Sequence, residues 1–313
     1  MNRINVKDLA NCINQEINSY FLVVEKDLRQ GTKDFFLRLK LADKSGFVVA
    51  NIWKNATVKS EMFEIGEVIQ VKGMVIKYNK NIQITINDIF PLEEKEYDLA
   101  ELVPATKKDI TELTDMFFEY VDSIQNEYLA QLLKSIFGNK QILNLFISSP
   151  AAKGWHHNYA GGLLEHTLAV TKICAFGCDL YPVDRDLMIT GAILHDLGKI
   201  YEYDSAIGID FSDEGRLIGH FVIVDRIITE HASKIDLFPK ELLMKLRHMV
   251  LAHHGEYEKG SVRLPQTLEA HLLHLADNMD AQVTGVKQII EASADNSKWS
   301  EFDKLNQKFY YKG

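Results

Sequence analysis

The stretch AILHDLGKIYEYD (residues 192–204) sets a His-Asp pair, His195 and Asp196, at the end of an apolar run and follows it with Leu, Gly and Lys. Taken alone it reads in two ways. It is the end of a buried helix, DRDLMITGAILHD, with Gly198 placed as its cap, or it is half of a metal site. Distant residues decide between them. His166 sits in GGLLEHTLAV, in the first turns of a helix entered through a glycine pair. His220 follows Gly219 in RLIGHFVIVDRI, His253 and His254 close ELLMKLRHMVLAHHG, and Asp277 sits in HLLHLADNMDA. Each is a polar residue in an apolar helical stretch, where burial is costly unless the group is paired or bound to metal. Any one of them is a satisfied core residue; the ordered set is hard to explain as core filling. All 11 histidines lie between His156 and His274, so they concentrate where the helical pattern is, and imidazole is the commonest metal ligand among side chains.

Histidine and carboxylate ligands favour Mn, Fe, Co, Ni or Zn over Ca or Mg. A carboxylate can bridge two metals while imidazoles fill the outer positions. A pair of metals so placed can generate a hydroxide and stabilise both the attacking and the leaving oxygen at phosphorus.

Upstream the pattern changes. FFLRLKL (35–41) alternates, with Phe35, Leu37, Leu39 and Leu41 on one face and Phe36, Arg38 and Lys40 on the other. With YFLVVEKDL (20–28), FVVANIW (47–53), EVIQVKGMVIKY (67–78) and IQITIND (82–88) it makes five short strands, Gly73 marking a bulge or bend. Five strands with a longer connection after the third suit a closed barrel of the oligonucleotide-binding (OB) type. From about residue 98 the period becomes helical. The expected organisation is therefore multi-domain: an all-β OB-type barrel over 1–95, a helical linker over 96–150, an all-α bundle over 151–295, and a polar, aromatic and loosely ordered tail over 296–313.

Composition is that of an ordinary globular protein, with 46% hydrophobic and 25% charged residues. The polar N-terminus has no apolar signal region, and no run approaches the ~18 apolar residues of a membrane span. Three cysteines, Cys12, Cys174 and Cys178, are sparse and odd in number, which places the chain in a reducing cytoplasm. The net charge of −9 argues against a protein coated in basic charge for duplex DNA. Residues 20–90, however, hold 11 Lys and Arg against 8 Asp and Glu, so a local basic face remains open.

With these residues in view, 160–280 resembles the HD-domain metal-dependent phosphohydrolases. His166, His195-Asp196, His220, His253-His254 and Asp277 match the two-metal version of that superfamily. The barrel, the helices and the run HHNYAGGLLEHT leading into HDLGK resemble the bacterial 3′→5′ exoribonucleases of the YhaM type over nearly the whole chain. The resemblance implies two divalent metal ions, Mn foremost, with Co, Fe or Ni as alternatives. It implies a first site of His166, His195, Asp196 and Asp277, and a second of Asp196, His220 and His253, with Asp196 bridging. His254 is an alternative ligand or a partner of one. Asp196 and Lys199 are the catalytic candidates, Lys199 meeting a phosphate oxygen unless it is a solvated helix-end lysine. His156 and His157, in the glycine-rich loop, are candidates for the substrate phosphate. His231, His248, His271 and His274 are structural, with His274 placed to orient Asp277.

The barrel then suggests the substrate. Single strands want basic groups for the backbone and aromatic faces for the bases; Phe36, Arg38, Lys40, Trp53, Lys54, Lys72, Lys77, Tyr78 and Lys80 are the candidates. The expected function is a 3′→5′ exoribonuclease that releases nucleoside 5′-monophosphates from single-stranded RNA, with single-stranded DNA as an alternative partner. Oligomeric state is left open. Competing readings are a phosphohydrolase of small nucleotides or cyclic dinucleotides, a nucleic-acid-binding protein without catalysis, and a di-iron oxygenase on the same ligands.

Overall fold

In the computed structural model, residues 3–31, 34–78, 81–98, 101–102, 105–152, 157–204, 210–292, 297–300, 302–303 and 306–313 are described. The chain divides into two compact units with the boundary between Ala105 and Thr106.

The first unit is a closed barrel of β1 (Glu16–Gln30), β2 (Phe35–Asp43), β3 (Gly46–Ile52), β4 (Val68–Tyr78) and β5 (Asn81–Pro91) in the order β1-β2-β3-β5-β4. The short α1 (Ala56–Ser60) fills the connection after the third strand. A parallel β3–β5 pairing (Val49 opposite Gln83) and an antiparallel β1–β4 pairing close the ring, which leaves no free sheet edge. The alternation of β2 is obeyed by Leu37, Leu39 and Leu41, all buried with Phe21, Ile52, Ile69 and Ile84. Phe35 departs from it and is 43% exposed. It pairs with Gln30 at the far end of β1, where four consecutive residues of β1 are exposed, so no interior is there to receive it.

Gly73 does sit at a bulge, where the β4–β5 register shifts. The reason is steric: a Cβ there would stand 2.4 Å from the Thr85 carbonyl oxygen and 3.0 Å from the Ile86 Cα.

The second unit is helical. Eight longer helices, among the described residues, are α2 (Ile110–Asp122), α3 (Glu127–Phe137), α4 (Lys140–Ser148), α5 (Gly162–Leu180), α6 (Arg185–Leu194), α9 (His220–Ala232), α10 (Lys240–Ala252) and α11 (Leu268–Ala292). Shorter α7 (Lys199–Glu202) and α8 (Asp213–Leu217) follow α6. α5 is apolar nearly all round and lies inside the bundle. The stretch expected as a linker contributes α2, α3 and α4 to this same core. Asp109, Asn126 and Asn139 cap the three helices with their side chains. Phe117, Phe137 and Phe146 meet with ring centroids 4.9–5.3 Å apart, in one cluster with Leu163, Leu168 and Ile193. Phe117 and Phe146 are fully buried, so removing that stretch would open the bundle.

Gly73→Ala should destabilise the barrel by about 1–3 kcal/mol through overpacking, read as a lower urea midpoint. Lys77→Ala, on the exposed surface, should stay within about 0.5 kcal/mol of the parent. Equal midpoints for the two variants would contradict the packing at the bulge.

Candidate metal centre

Backbone contacts bring the ligand candidates together. α5 is entered through Gly161, whose φ of +79° suits glycine, and a Cβ on Gly162 would lie 2.1 Å from the His157 carbonyl. His166 follows one turn later. α6 ends at His195, and the chain turns through Asp196 and Leu197 to Gly198. Gly198 differs from expectation: it has ordinary right-handed geometry (φ −60°) and precedes α7 rather than capping α6. Its role is contact, because a Cβ there would stand 2.2 Å from the carbonyl oxygen of His220, the first residue of α9. The missing side chain is what lets the His-Asp turn lie against that helix. Gly255, with φ of +76°, likewise leaves room for the His274 ring beside His253.

The result is a buried cage. His166, His195 and His253 have no accessible surface, Asp196 has 1% and Asp277 9%. His166 Nε2 lies 3.4 Å from Asp196 Oδ2 and 3.2 Å from Asp277 Oδ1. His195 Nε2 lies 3.4 Å from the same Asp196 oxygen and 3.3 Å from His166 Nε2. On the other side of the carboxylate, Asp196 Oδ1 is 3.7 Å from His220 Nε2 and 3.5 Å from His253 Nε2. One oxygen of Asp196 thus faces His166, His195 and Asp277, and the other faces His220 and His253.

Every ring is held from behind. Nδ1 of His195 donates to the Ala192 carbonyl (2.8 Å), Nδ1 of His253 to the Val250 carbonyl (2.7 Å), Nδ1 of His220 to Glu202 (2.9 Å) and Nδ1 of His166 to Asp280 (2.7 Å). These bonds turn Nε2 of each ring toward the carboxylates, the arrangement by which partner groups orient metal ligands. Asp196 Oδ1, His220 Nε2 and His253 Nε2 are all buried and have no hydrogen-bond partner. Three converging, unsatisfied acceptors are costly, about 1–3 kcal/mol each, and fit a cation that would satisfy all of them. His166, His195 and Asp277 form a second group of donor atoms close enough to share one ion. The donor set fits divalent transition metals on both sides of Asp196.

The charge balance agrees. Burial raises the Asp196 pKa, but Lys199 and the surrounding histidines outweigh it and hold the carboxyl well below the usual range. Burial would lower His166; the carboxylates of Asp196, Asp277 and Asp280 outweigh it and raise the ring well above its ordinary value. For His220 and His253 burial prevails and the rings are pushed down, toward the neutral form that binds metal.

Lys199 is not a solvated helix-end lysine. It is 7% exposed, and its Nζ lies 2.6 Å from Asp196 Oδ2. His254 shares a donor group with His220 and His253, but its Nδ1 donates to the Lys259 carbonyl, and burial together with His253 pushes its pKa down to about 4. His274 donates to the His253 carbonyl and so steadies that residue rather than Asp277. His231 and His248 pair with Ser135 and the Gln266 amide.

His157 also differs from a loop histidine waiting for a phosphate. It is 3% exposed, and its ring nitrogens meet Tyr159 Oη (3.0 Å) and Asp280 Oδ2 (3.1 Å). His156 lies outside the described residues. Sequence reasoning missed Asp280 and Glu202. A signal existed for each: Asp280 is three residues after Asp277 on one face of α11, and Glu202 is within the stretch first quoted.

On the barrel, Phe36 stacks on Trp53 with centroids 4.8 Å apart and 23° between planes, and Trp53 stays 55% exposed. Arg38, beside Phe36 on β2 and opposite Asn51, is exposed. Lys40 is partly engaged, 3.0 Å from Glu25 and over the Phe47 ring, and Lys72 lies over Phe90. Lys54, Lys77 and Tyr78 are exposed. Lys80 lies outside the described residues.

Residues 163–282 match the HD domain family, and residues 23–92 match the OB-fold nucleic acid binding domain family. Relatives span nearly the whole chain. The 3′-5′ exoribonuclease YhaM of Bacillus pumilus (strain SAFR-032) is 30% identical over 282 residues, 88% of this chain and 88% of that protein. That of Shouchella clausii (strain KSM-K16) is 29% identical over 304 residues, 96% and 94% of the two chains. That of Bacillus subtilis (strain 168) is 28% identical over 307 residues, 96% of each. The chain belongs to the YhaM family of 3′-5′ exoribonucleases.

Proposed function

We infer that the protein is a metal-dependent 3′→5′ exoribonuclease that shortens single-stranded RNA by hydrolysis and releases nucleoside 5′-monophosphates. The carrying observation is Asp196, a buried carboxylate whose two oxygens face two separate sets of donor atoms, one of them unsatisfied. His166, His195, Asp196 and Asp277 would hold one divalent ion, and Asp196, His220 and His253 the second, with Mn²⁺ the first choice for this donor set. Such ions supply Lewis acidity at phosphorus and lower the pKa of water.

The protein's own groups do the rest. Lys199 stays protonated because Asp196 outweighs the burial that would discharge it, and its charge beside Asp196 would meet a phosphate oxygen drawn to the metals. Glu202 and Asp280 fix the rings of His220 and His166. Water oxygen forms a bond to phosphorus, the P–O3′ bond breaks, and the departing 3′ oxygen takes a proton, leaving a new 3′ hydroxyl on the strand. The barrel supports a strand over a free nucleotide as substrate, since the stacked Phe36–Trp53 pair and exposed Arg38 are the kind of surface that takes bases and backbone. The unbridged cysteines support a cytoplasmic setting.

With Mn²⁺, 5′-labelled single-stranded RNA should shorten progressively from its 3′ end. Asp196→Asn should slow this by more than about 100-fold while RNA affinity is retained, as read by gel assay and anisotropy. Turnover of mononucleotides but not of oligomers would favour the small-substrate reading instead.

Metal loading should also release protons. The carboxylates around His166 raise its pKa well above the ordinary value, whereas burial lowers those of His220 and His253, so filling the His166 site displaces a proton from its ring and affinity falls as pH falls. Calorimetric Mn²⁺ titrations in Tris and in Pipes should give enthalpies that differ by the buffers' ionisation heats; identical enthalpies would count against this protonation state.

A further inference from the structure

We propose that the described residues of the C-terminal segment, 297–300, 302–303 and 306–313, form a contact surface for single-stranded RNA in addition to the barrel. It was expected to be loosely ordered, yet it folds back on itself. Trp299 bridges to Tyr311 and Asp303 to Lys308 in antiparallel fashion, and the Lys312 amide donates to the Lys298 carbonyl (2.8 Å). The inner side is polar and tied down. Ser300 is 5% exposed and its hydroxyl accepts from the Tyr310 amide (2.9 Å); Asp303 is 9% exposed and accepts from Asn306 Nδ2 (2.6 Å) and Tyr310 Oη (3.2 Å).

What this framework presents outward is aromatic. Trp299 and Tyr311 pair with centroids 5.1 Å apart, and Phe302 and Phe309 pair at the same distance. Their exposures are 53%, 56%, 49% and 55%. Four large rings, each half open to solvent, are an unusual liability for a hairpin that buries Ser300 and Asp303 instead. Lysines punctuate them: Lys298 and Lys308 are exposed, the latter 5.4 Å from the Tyr310 ring centre. Within 297–313 four lysines stand against Glu301 and Asp303, a basic balance in a chain whose net charge is −9. Rings spaced among cations match a strand whose bases offer π-faces and whose backbone is anionic. A purely apolar protein partner would have no use for the lysines. The inference rests on the exoribonuclease reading, which supplies the partner.

The test uses the full chain and a fluorescein-labelled oligouridylate of about 30 nucleotides, longer than the ~16 that one OB barrel covers, with EDTA present to prevent cleavage. Trp299→Ala and Phe302→Ala should each weaken binding about fivefold or more, and Trp299→Phe should restore it. Lys298→Ala with Lys308→Ala should flatten the dependence of affinity on salt. kcat at saturating RNA with Mn²⁺ should be unchanged while KM rises. Unaltered affinity in both alanine variants, with a wild type that binds RNA, overturns the proposal and leaves the exoribonuclease reading intact. A wild type that neither binds nor shortens RNA removes that reading first. A variant that changes only the oligomeric state on light scattering assigns the rings to a second copy and also overturns the proposal. Should an alanine variant fail to fold, photocrosslinking of the wild type to 4-thiouridine RNA decides: adducts on residues 297–313 support the surface, and adducts confined to the barrel refute it.

Discussion

A carboxylate denied water is expensive, and Asp196 is denied almost all of it. Its desolvation is offset only by what surrounds it: the Lys199 ammonium, four imidazoles, and the cations the remaining lone pairs are shaped to receive. The helical unit is organised around that requirement. α5, α6, α9, α10 and α11 each deliver a ligand candidate at or near an end or an inner face, and the buried apolar residues of α5 and α6 around them keep solvent out. Removing one partner from such a cage leaves an uncompensated charge in a dry interior, which is why its members act as a set.

The two units divide the work that a strand-degrading hydrolase needs. The barrel has no chemistry-bearing cluster among its described residues; its exposed aromatic and basic side chains are suited to grip without reading sequence. The cage gathers imidazoles and carboxylates, groups that suit metal ions. On that division, grip falls to the barrel and phosphodiester chemistry to the cage of metal-ligand candidates.

Much of this was legible in the sequence, for definite physical reasons. Strands of period two bury one face, and Leu37, Leu39 and Leu41 point as the alternation requires. Ligand identity was legible because imidazoles in apolar helices need an explanation. What escaped was whatever depends on one element approaching another. Gly198 follows a helix, where glycine usually stops it, but its purpose lies against a carbonyl 22 residues onward. Asp280 and Glu202 are acids on helices, the commonest of surface residues, and only the position of a ring edge beside each makes them otherwise. His157 sits among glycines, where a histidine is normally wet, and is instead folded inward onto Asp280.

The glycine contacts have a wider consequence. Gly198 meets the main chain of His220, not a side chain. The distance between the His-Asp turn and α9 is therefore set at this point by backbone against backbone, which no substitution elsewhere can thicken or thin. Leucines and isoleucines of the surrounding core can be exchanged for one another over evolutionary time, shifting their neighbours slightly, without changing the gauge of the cage. The gap between the His-Asp turn and α9 is thus held by a position that carries no side chain at all, and a Cβ on Gly198 would widen it whatever the rest of the core became.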